Sequence, residues 1–205
     1  MKASYVLVAV AAVSLIAIII YSSTSGSDDA DYRAEVQNSR EQKDGYMRTD
    51  TESPFKHSKE PFRGLKYFDP NPKFRITADL EPVENKKMVV LQTSDGKEQQ
   101  YIEYAYATFT IDEVKCKLLI LEVADAGPFR GTLFLAFADQ TSAIETYGAG
   151  RYLEVKKTPG AQSITLDFNE AYNPYCAYSD SFSCPFPPKE NVLNVAILAG
   201  EKTYH

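Results

Sequence analysis

The stretch Phe74-Arg75-Ile76-Thr77-Ala78-Asp79-Leu80-Glu81 decides the fold class, because every second side chain in it is apolar. A period of two is typical of a β-strand with one buried face and one solvated face. Seven further segments show strand patterns: Lys87–Gln92, Tyr101–Ile111, Val114–Val123, Thr132–Phe137, Arg151–Val155, Ser163–Phe168 and Val192–Ala199. The sequence therefore predicts a mainly β domain of about eight strands.

Short turn segments separate most of these strands, including Ser94-Asp95-Gly96, Asp112-Glu113 and Thr158-Pro159-Gly160. Short connections join antiparallel neighbours, and no helix of crossover length lies between the strands. We expect an antiparallel β-barrel or sandwich. Leu118–Leu121 and Leu133–Phe137, apolar on both faces, are predicted to be interior strands.

The beginning of the chain predicts a membrane segment, since Ala3–Tyr21 contains 19 residues and no charged side chain. A spanning helix needs about 17–25 residues, whereas the apolar core of a cleaved signal has about 7–15. An uncleaved anchor is favoured, although Ser23–Gly26 is small enough for a cleavage site. Residues 1–25 are therefore a predicted signal anchor or signal peptide.

Charges beside this segment predict its orientation. Lys2 precedes it, Asp28, Asp29 and Asp31 follow it, and positive charge stays on the cytoplasmic side. We expect a domain anchored in the inner membrane on its periplasmic side, or free in the periplasm if the segment is cleaved. A net charge of −6 argues against a nucleic-acid partner, because phosphate binding needs a basic face.

Residues 26–53 are interpreted as a linker with a short helix from Asp28 to about Met47. Tyr32, Val36 and Tyr46 form a narrow apolar stripe on that helix. Such a stripe is enough to lie on a domain surface, and a solvated spacer is the alternative. The single β-rich domain is predicted to cover residues 54–205, beginning with a packed, proline-rich loop up to Pro72.

Three segments in the second half of the chain stand out because they mix polar, glycine, aromatic and proline residues. They are Thr146-Tyr147-Gly148-Ala149-Gly150-Arg151-Tyr152-Leu153, Asp167-Phe168-Asn169-Glu170-Ala171-Tyr172-Asn173-Pro174-Tyr175-Cys176-Ala177-Tyr178 and Cys184-Pro185-Phe186-Pro187-Pro188-Lys189-Glu190-Asn191. In these segments the chain closely resembles the bacterial family called domain of unknown function 1684. The resemblance extends to Phe62–Phe68 and Ala199–Lys202, and a membrane-attached, exported form resembles the Bacteroidetes-type version. It implies no activity.

Arg151 is the first candidate for ligand binding, because it follows two glycines and its guanidinium suits a carboxylate or phosphate. The alternative is a buried salt bridge to Asp139, Glu145 or Asp167. Tyr147 is the second candidate, placed beside Arg151 in the same loop.

Asp167 and Asn169 project from one face of a predicted strand, so they could line a cavity together with Arg151 and Tyr147. A structural turn role is the alternative for Asn169. Tyr172 either packs in the core or offers a stacking surface for sugars or aromatic groups. The candidate ligand-binding residues are thus Tyr147, Arg151, Asp167, Asn169 and Tyr172.

Cys176 and Cys184 lie eight positions apart in a proline-bounded loop of a protein predicted to face an oxidising compartment. A disulfide is the expected outcome. Metal binding and thiol nucleophilicity are weaker alternatives, since neither His57 nor His205 lies near a cysteine in sequence. We expect no metal site and no cofactor, and Cys116 is interpreted as a buried free thiol.

No nucleophile elbow, phosphate-binding loop or dinucleotide fingerprint is present, so the sequence favours a non-enzymatic role and names no catalytic residue. The first hypothesis is a membrane-anchored envelope protein whose β-rich module binds a small polar or anionic ligand. The second is a structural or protein-interaction role in the envelope. The third is a hydrolase that uses paired carboxylates among Asp139, Glu145 and Asp167. The sequence does not predict an oligomeric state.

Overall fold

A computed structural model describes residues 28–56, 62–125 and 127–205 of the chain. Within them, helix α1 covers residues 28–49. Eight strands follow: β1 (Arg75–Pro82), β2 (Met88–Gln92), β3 (Glu98–Ile111), β4 (Val114–Val123), β5 (Leu133–Phe134), β6 (Ala136–Phe137), β7 (Arg151–Tyr152) and β8 (Ser163–Asp167). Short 3₁₀ turns cover Pro72–Phe74, Phe168–Glu170, Tyr175–Ala177 and Lys189–Asn191. The mainly β prediction is confirmed.

Six strands form one antiparallel sheet in the order β5-β4-β3-β1-β8, with β2 also paired to β3. The turn between β3 and β4 consists of Asp112 and Glu113, with φ angles of 47° and 65°. Two central residues of positive φ match the twist of a tight hairpin. β6 and β7 pair separately as a two-stranded sheet.

The barrel alternative is wrong for the residues described. The chain of pairings in the large sheet ends at β5 on one side and at β8 on the other, so the sheet stays open. The short strand β5 contributes only two paired residues, Leu133 and Phe134, and the chain then leaves the sheet. Because β6 begins at Ala136 and pairs with β7, the predicted strand Thr132–Phe137 is divided between two sheets.

The predicted strand Val192–Ala199 is also corrected. Leu193, Val195, Ile197 and Ala199 are buried at alternate positions, which explains the strand-like pattern. Its backbone amides and carbonyls nevertheless bond to irregular segments, as where the Leu193 amide donates to the Ala138 carbonyl oxygen. The alternation of apolar residues in this segment therefore reflects side-chain packing against the core and does not show that the backbone forms a strand of a sheet.

Strand β4 lies between two apolar clusters. Leu118 and Ile120 pack in the main core, and Leu119 and Leu121 pack on the other face with Tyr101. All four leucine and isoleucine side chains are buried, so the interior position predicted for Leu118–Leu121 is confirmed. Burial on both faces is why this strand has no polar alternation.

Helix α1 packs on the β domain through one stripe. Tyr32, Val36, Arg40 and Met47 are buried, at spacings that repeat on one face of an α-helix. The Arg40 guanidinium donates hydrogen bonds to the Phe68 and Asn169 carbonyl oxygens. The predicted helix is confirmed, and it is a packed element and not a solvated spacer.

The predicted membrane segment Ala3–Tyr21 and the linker before Asp28 lie outside the described residues. In the part of the chain that the structure describes, no helix combines the length and the apolar character needed to cross a bilayer. The anchor, its orientation and its cleavage stay predictions.

Candidate functional site

Arg151 begins strand β7, and its side chain is completely buried. Its Nη2 atom donates to Asp139 Oδ2 at 2.9 Å, in an ion pair whose side chains are each 1% exposed. The guanidinium also donates to the backbone carbonyl oxygens of Ile197, Ala199 and Glu201. Burial lowers the pKa of Arg151, and the charge of Asp139 opposes that shift. The guanidinium therefore joins β7 to the C-terminal segment from inside the core.

Asp139 completes this ion pair with a second set of hydrogen bonds. Its Oδ1 atom accepts from the Thr141 amide and hydroxyl at 2.8 and 2.7 Å, and from the Ile197 amide at 3.2 Å. A buried charge pair is tolerated when its remaining donors and acceptors are satisfied, as most are here. The arrangement holds three chain segments together.

Gly150 allows the chain to pass close to β6 just before Arg151. Its φ is +88°, and a Cβ atom there would lie 2.5 Å from the Phe137 carbonyl oxygen and 2.7 Å from Pro187 Cγ. Any side chain at this position meets backbone that cannot move aside. The absence of a side chain at Gly150 therefore lets the backbone approach strand β6 of the protein's own core.

Asn169 and Asp167 connect the end of β8 to helix α1. The Asn169 amide group is buried and bonds the backbone of Asn71 in both directions, at 2.8 and 2.9 Å. Asp167 caps the 3₁₀ turn Phe168–Glu170 by accepting from the Asn169 amide, and it also accepts from the Tyr32 hydroxyl. The side chain of Asn169 is therefore occupied by the fold, while that of Asp167 stays partly exposed.

A second buried carboxylate, Glu201, was not predicted from the sequence. Lys43 of helix α1 lies 2.9 Å from Glu201 Oε2, and the Asn173 side-chain amide donates to Oε1 at 2.9 Å. The Tyr178 hydroxyl donates to the same carboxylate, and burial raises the pKa of that hydroxyl. Lys43 lies seven positions after Val36, so helical periodicity alone could have placed it on the buried stripe.

A cleft of about 1170 Å³ opens between helix α1, the sheet edge, the loop 127–130 and the loop 174–185. Nine aromatic side chains line it: Tyr32, Tyr46, Tyr101, Phe129, Phe134, Tyr152, Tyr172, Tyr175 and Phe182. Ligand sites are typically concave, mostly apolar and aromatic, and carry a few polar groups. The cleft has this character.

Four of these rings form a continuous aromatic wall, defined here as Tyr101, Phe134, Tyr152 and Tyr172. Their successive ring centroids are 5.0, 4.9 and 6.0 Å apart. The three hydroxyls already donate within the protein, to Gln99, to the Pro185 carbonyl oxygen and to Glu154. Because the hydroxyls are occupied, the wall is predominantly an apolar and aromatic surface.

The five predicted ligand-binding residues do not meet in this cleft. Asp167 and Tyr172 line it, whereas Arg151, Asn169 and Tyr147 do not. The Tyr147 hydroxyl instead lies 3.8 Å from Cys176 Sγ, and burial is the main cause that raises the pKa of Tyr147 to about 12. Two of the five candidates therefore line the cleft, and the other three contact other parts of the protein.

Comparison with known families gives one match. The family described as protein of unknown function DUF1684 matches residues 60–202. This range includes the buried pair of Arg151 and Asp139, the buried Glu201 and most residues of the cleft. The chain belongs to the DUF1684 family. The resemblance stated from the sequence is thereby confirmed at the level of the family, and the Bacteroidetes-type and exported character stays a prediction.

One solved structure is similar along most of its length. It is the solution NMR structure of an uncharacterized protein of Haloarcula marismortui, which is 37% identical to this DUF1684 chain, with a TM-score of 0.64. The similarity covers 87% of this chain and 99% of that one. No curated protein gave a significant match.

The cysteines of this family member are free thiols, so the predicted Cys176–Cys184 disulfide is absent from the structure. Cys184 is held on the β2–β3 turn, where its amide donates to Ser94 Oγ and its carbonyl accepts from the Ser94 amide. Cys176 lies in the 3₁₀ turn Tyr175–Ala177, and its amide donates to Cys184 Sγ at 3.2 Å. Separate elements thus bring the two cysteines together through an amide-to-sulfur hydrogen bond and not through a covalent bond.

This contact polarises the thiol pair. A hydrogen bond from the Cys184 thiol lowers the pKa of Cys176 to about 6, while the same bond raises the pKa of Cys184. Cys184 lines the cleft, and Cys116 is buried elsewhere, in the main core. Within the described residues, no group of three or more histidine, cysteine, aspartate and glutamate side chains could hold a metal ion.

The carboxylates of the hydrolase hypothesis have three different environments. Asp139 is buried in its ion pair, Glu145 is exposed, and Asp167 accepts the Tyr32 hydroxyl at the cleft. Of these three, only Asp167 lines the cleft. The carboxylates that accompany it there are Glu35, Asp125, Glu154 and Glu170, which the sequence did not single out.

Proposed function

We propose that the protein is a membrane-anchored envelope binding module whose cleft takes a small polar ligand with an apolar or planar face. The observation that carries this proposal is the cleft of about 1170 Å³ lined by nine aromatic side chains. Its volume lies slightly above the range of about 300–1,000 Å³ that is typical of small-molecule sites. A purely structural role gives no reason for a concavity of this size, so the cleft favours binding.

Residues divide into two roles under this proposal. Asp167 and Tyr172 contact the ligand, together with the rest of the aromatic wall. Arg151 and Asn169 stabilise the fold and do not contact the ligand, because most of their donors bond to backbone carbonyl oxygens or to Asp139. Ligand contact by Arg151 would require breaking a buried ion pair, which costs several kcal/mol.

The envelope location is supported by the sequence. The uncharged run Ala3–Tyr21 supplies an anchor, and acidic residues follow it on the side predicted to face the periplasm. In the described part of the chain, helix α1 starts at residue 28, seven positions after Tyr21 at the end of the predicted anchor, and it lines the cleft. A ligand released or held near the membrane surface suits this position.

Blocking the cleft tests the proposal. Thr165 on β8 is exposed and lines the cleft, so Thr165→Trp places an indole in it. The matched control is Ser163→Trp, exposed on the same strand and the same strand face but outside the cleft lining. A thermal-shift panel of sugars, amino acids, nucleosides and organic amines would be measured at millimolar concentration on all three proteins.

We expect at least one class of compound to raise the melting temperature of the wild type and of Ser163→Trp but not that of Thr165→Trp. A panel without any effect on the wild type would contradict the proposal. Equal shifts in Thr165→Trp would place binding outside the cleft and contradict it as well.

A further inference from the structure

The cleft already contains one example of ammonium recognition. Lys43 Nζ lies 4.5 Å from the centroid of the Tyr172 ring and 2.9 Å from Glu201 Oε2. A cation over an aromatic face is attracted by the negative electrostatic potential of the ring, and a nearby carboxylate strengthens its position. The end of the aromatic wall is therefore suited to a positively charged nitrogen.

Arg75 repeats this arrangement near the first turns of helix α1. Its guanidinium carbon lies 5.1 Å from the Tyr32 ring centroid, and its nitrogens lie 3.9 Å from carboxylate oxygens of Glu35 and Asp167. The charges of Lys43 and Arg75 are thus compensated within the protein. Neither is free to neutralise a bound anion.

Among the residues that the structure describes, three carboxylates of the cleft take part in no ion pair: Asp125, Glu154 and Glu170. Glu170 accepts from the Ser39 hydroxyl at 2.8 Å, and Glu154 accepts from the Tyr172 hydroxyl at 2.8 Å. Burial is the main cause that raises the pKa of Glu170, while the Ser39 hydroxyl and the charges of Arg40 and Lys43 oppose that shift in part. A cation beside Glu170 would stabilise the charged form of this carboxylate and so offset the unfavourable effect of its burial.

The net charge of all the side chains that line the cleft is also negative. Five acidic and three basic side chains line it, and the third basic residue, Arg130, lies exposed on the loop 127–130. Among the described residues that line the cleft, Arg130 is the one basic residue outside an ion pair, so an anion would meet mainly carboxylates. Charge complementarity therefore favours a cationic ligand.

We propose that the cleft selects an organic ammonium ion with an apolar or aromatic body, the charge beside Glu170 or Glu154 and the body against the aromatic wall. This inference rests on the proposed binding function and narrows its ligand from small polar compounds to cations. Phe134, Tyr152 and Tyr172 of the aromatic wall are half-buried, so part of each ring faces the cleft, and the hydroxyls of the wall are occupied within the protein. The carboxylates supply the charge that distinguishes the ammonium group from neutral groups of similar size.

A tryptophan reporter makes this testable, because the chain contains no tryptophan. Phe129 lines the cleft and is 70% exposed, so Phe129→Trp places one indole at its rim. Ile144, 77% exposed and outside the cleft lining, gives the control reporter Ile144→Trp. The probes are benzyltrimethylammonium, benzyl alcohol and benzenesulfonate, which share a benzene ring and differ in charge.

With the Phe129→Trp reporter we expect the Kd of benzyltrimethylammonium to be at least about tenfold lower than that of the other two probes, a difference of about 1.4 kcal/mol. Ile144→Trp fluorescence should not respond. Equal affinity for the alcohol and the ammonium would overturn cation selection while leaving the binding function intact. Tighter binding of the sulfonate would do the same. If none of the probes binds and the compound panel also gives no shift, both proposals fail.

The carboxylates are tested by isosteric neutralisation. Glu170→Gln keeps an oxygen for the Ser39 hydroxyl and removes the charge, and it should weaken benzyltrimethylammonium at least about fivefold. Benzyl alcohol should be unaffected. Glu190→Gln, an exposed glutamate outside the cleft lining, is the matched control and should bind as the parent does. Glu154→Gln provides a second neutralised carboxylate if Glu170→Gln does not fold, and unchanged ammonium affinity in a folded variant would overturn the proposed charge contact.

Discussion

Two regions of this molecule, the core and the cleft, contain ion pairs of arginine and carboxylate side chains, and the two regions differ in how far these side chains are exposed. In the core, Arg151 and Asp139 are each 1% exposed, and backbone carbonyls take up further guanidinium donors. In the cleft, Arg75 is 48% exposed and lies 3.9 Å from its two acidic partners. The comparison shows that the fully buried ion pair is held by further hydrogen bonds within the fold, whereas the ion pairs of Arg75 in the cleft are longer and partly exposed to solvent.

The largest expected effect breaks the core ion pair. Arg151→Ala would leave the Asp139 carboxylate buried without its partner, which should lower the free energy of unfolding by about 3–5 kcal/mol. Arg75→Ala is the control from the cleft, where a partly exposed pair contributes about 0–1 kcal/mol. Urea denaturation of both variants measures the difference. Similar losses for the two arginines would contradict the distinction between the regions.

The next effect concerns the backbone that supports Arg151. Gly150→Ala combines a positive φ with a Cβ atom 2.5 Å from the Phe137 carbonyl oxygen, so we expect a loss of about 3 kcal/mol. Gly160 also has a positive φ, +74°, but a Cβ atom there would have no neighbour within 4 Å, so Gly160→Ala should cost about 1 kcal/mol. Thermal unfolding compares them. If Gly160→Ala were the more damaging, close packing at Gly150 would not be the cause.

A smaller effect tests the thiols at the margin of the cleft. Cys176, with a pKa of about 6 against an ordinary 9.0, should be a thiolate at neutral pH and lose reactivity as the pH falls through about 6. Cys184→Ala removes the hydrogen bond that lowers this pKa, so the thiolate fraction at pH 7 should fall and alkylation should slow by about tenfold. Iodoacetamide labelling followed by peptide mass spectrometry measures the rate. Buried Cys116 is the internal control, and an unchanged pH profile in Cys184→Ala would contradict the assignment.

The smallest effect should come from filling the cleft. Thr165→Trp adds a side chain to an exposed position that faces open space, so its free energy of unfolding should stay within about 0.5 kcal/mol of the wild type. A large loss would show that the cleft is closed in solution. A large loss of stability in Arg151→Ala and a small one in Thr165→Trp would distinguish the core, where the ion pair is needed for stability, from the cleft, where a substitution is tolerated.

Much of the fold could be predicted because its signals are local. Alternation marked β1 and β8, the pair Asp112-Glu113 formed a hairpin turn, and Tyr32 and Val36 marked the buried face of helix α1. The same signal failed at Val192–Ala199, where alternate residues are buried without strand pairing. Alternation reports which side chains face the core, and it does not report where the backbone hydrogen bonds go.

The candidate site could be predicted only in part. Asp167 and Tyr172 line the cleft, but Glu154 and Glu170 carried no signal that distinguished them from solvated surface charges, and helical periodicity could place Lys43 on the buried stripe without indicating its partner. Helix α1 brings Lys43 to Glu201 across 158 positions of the chain. No local pattern encodes a partner so distant.

The amino-acid sequence by itself determined the β-rich class, the helix before the domain and membership of the DUF1684 family, because periodicity and contiguous motifs are properties of neighbouring residues. Tertiary structure alone decided that Arg151 pairs with Asp139, that Cys176 and Cys184 meet as thiols, and that an aromatic cleft remains open beside helix α1. Each of these contacts depends on which of several possible partners the folded backbone places beside a given group. Packing of the whole chain determines that placement, because a buried charge or donor needs a partner within hydrogen-bonding distance.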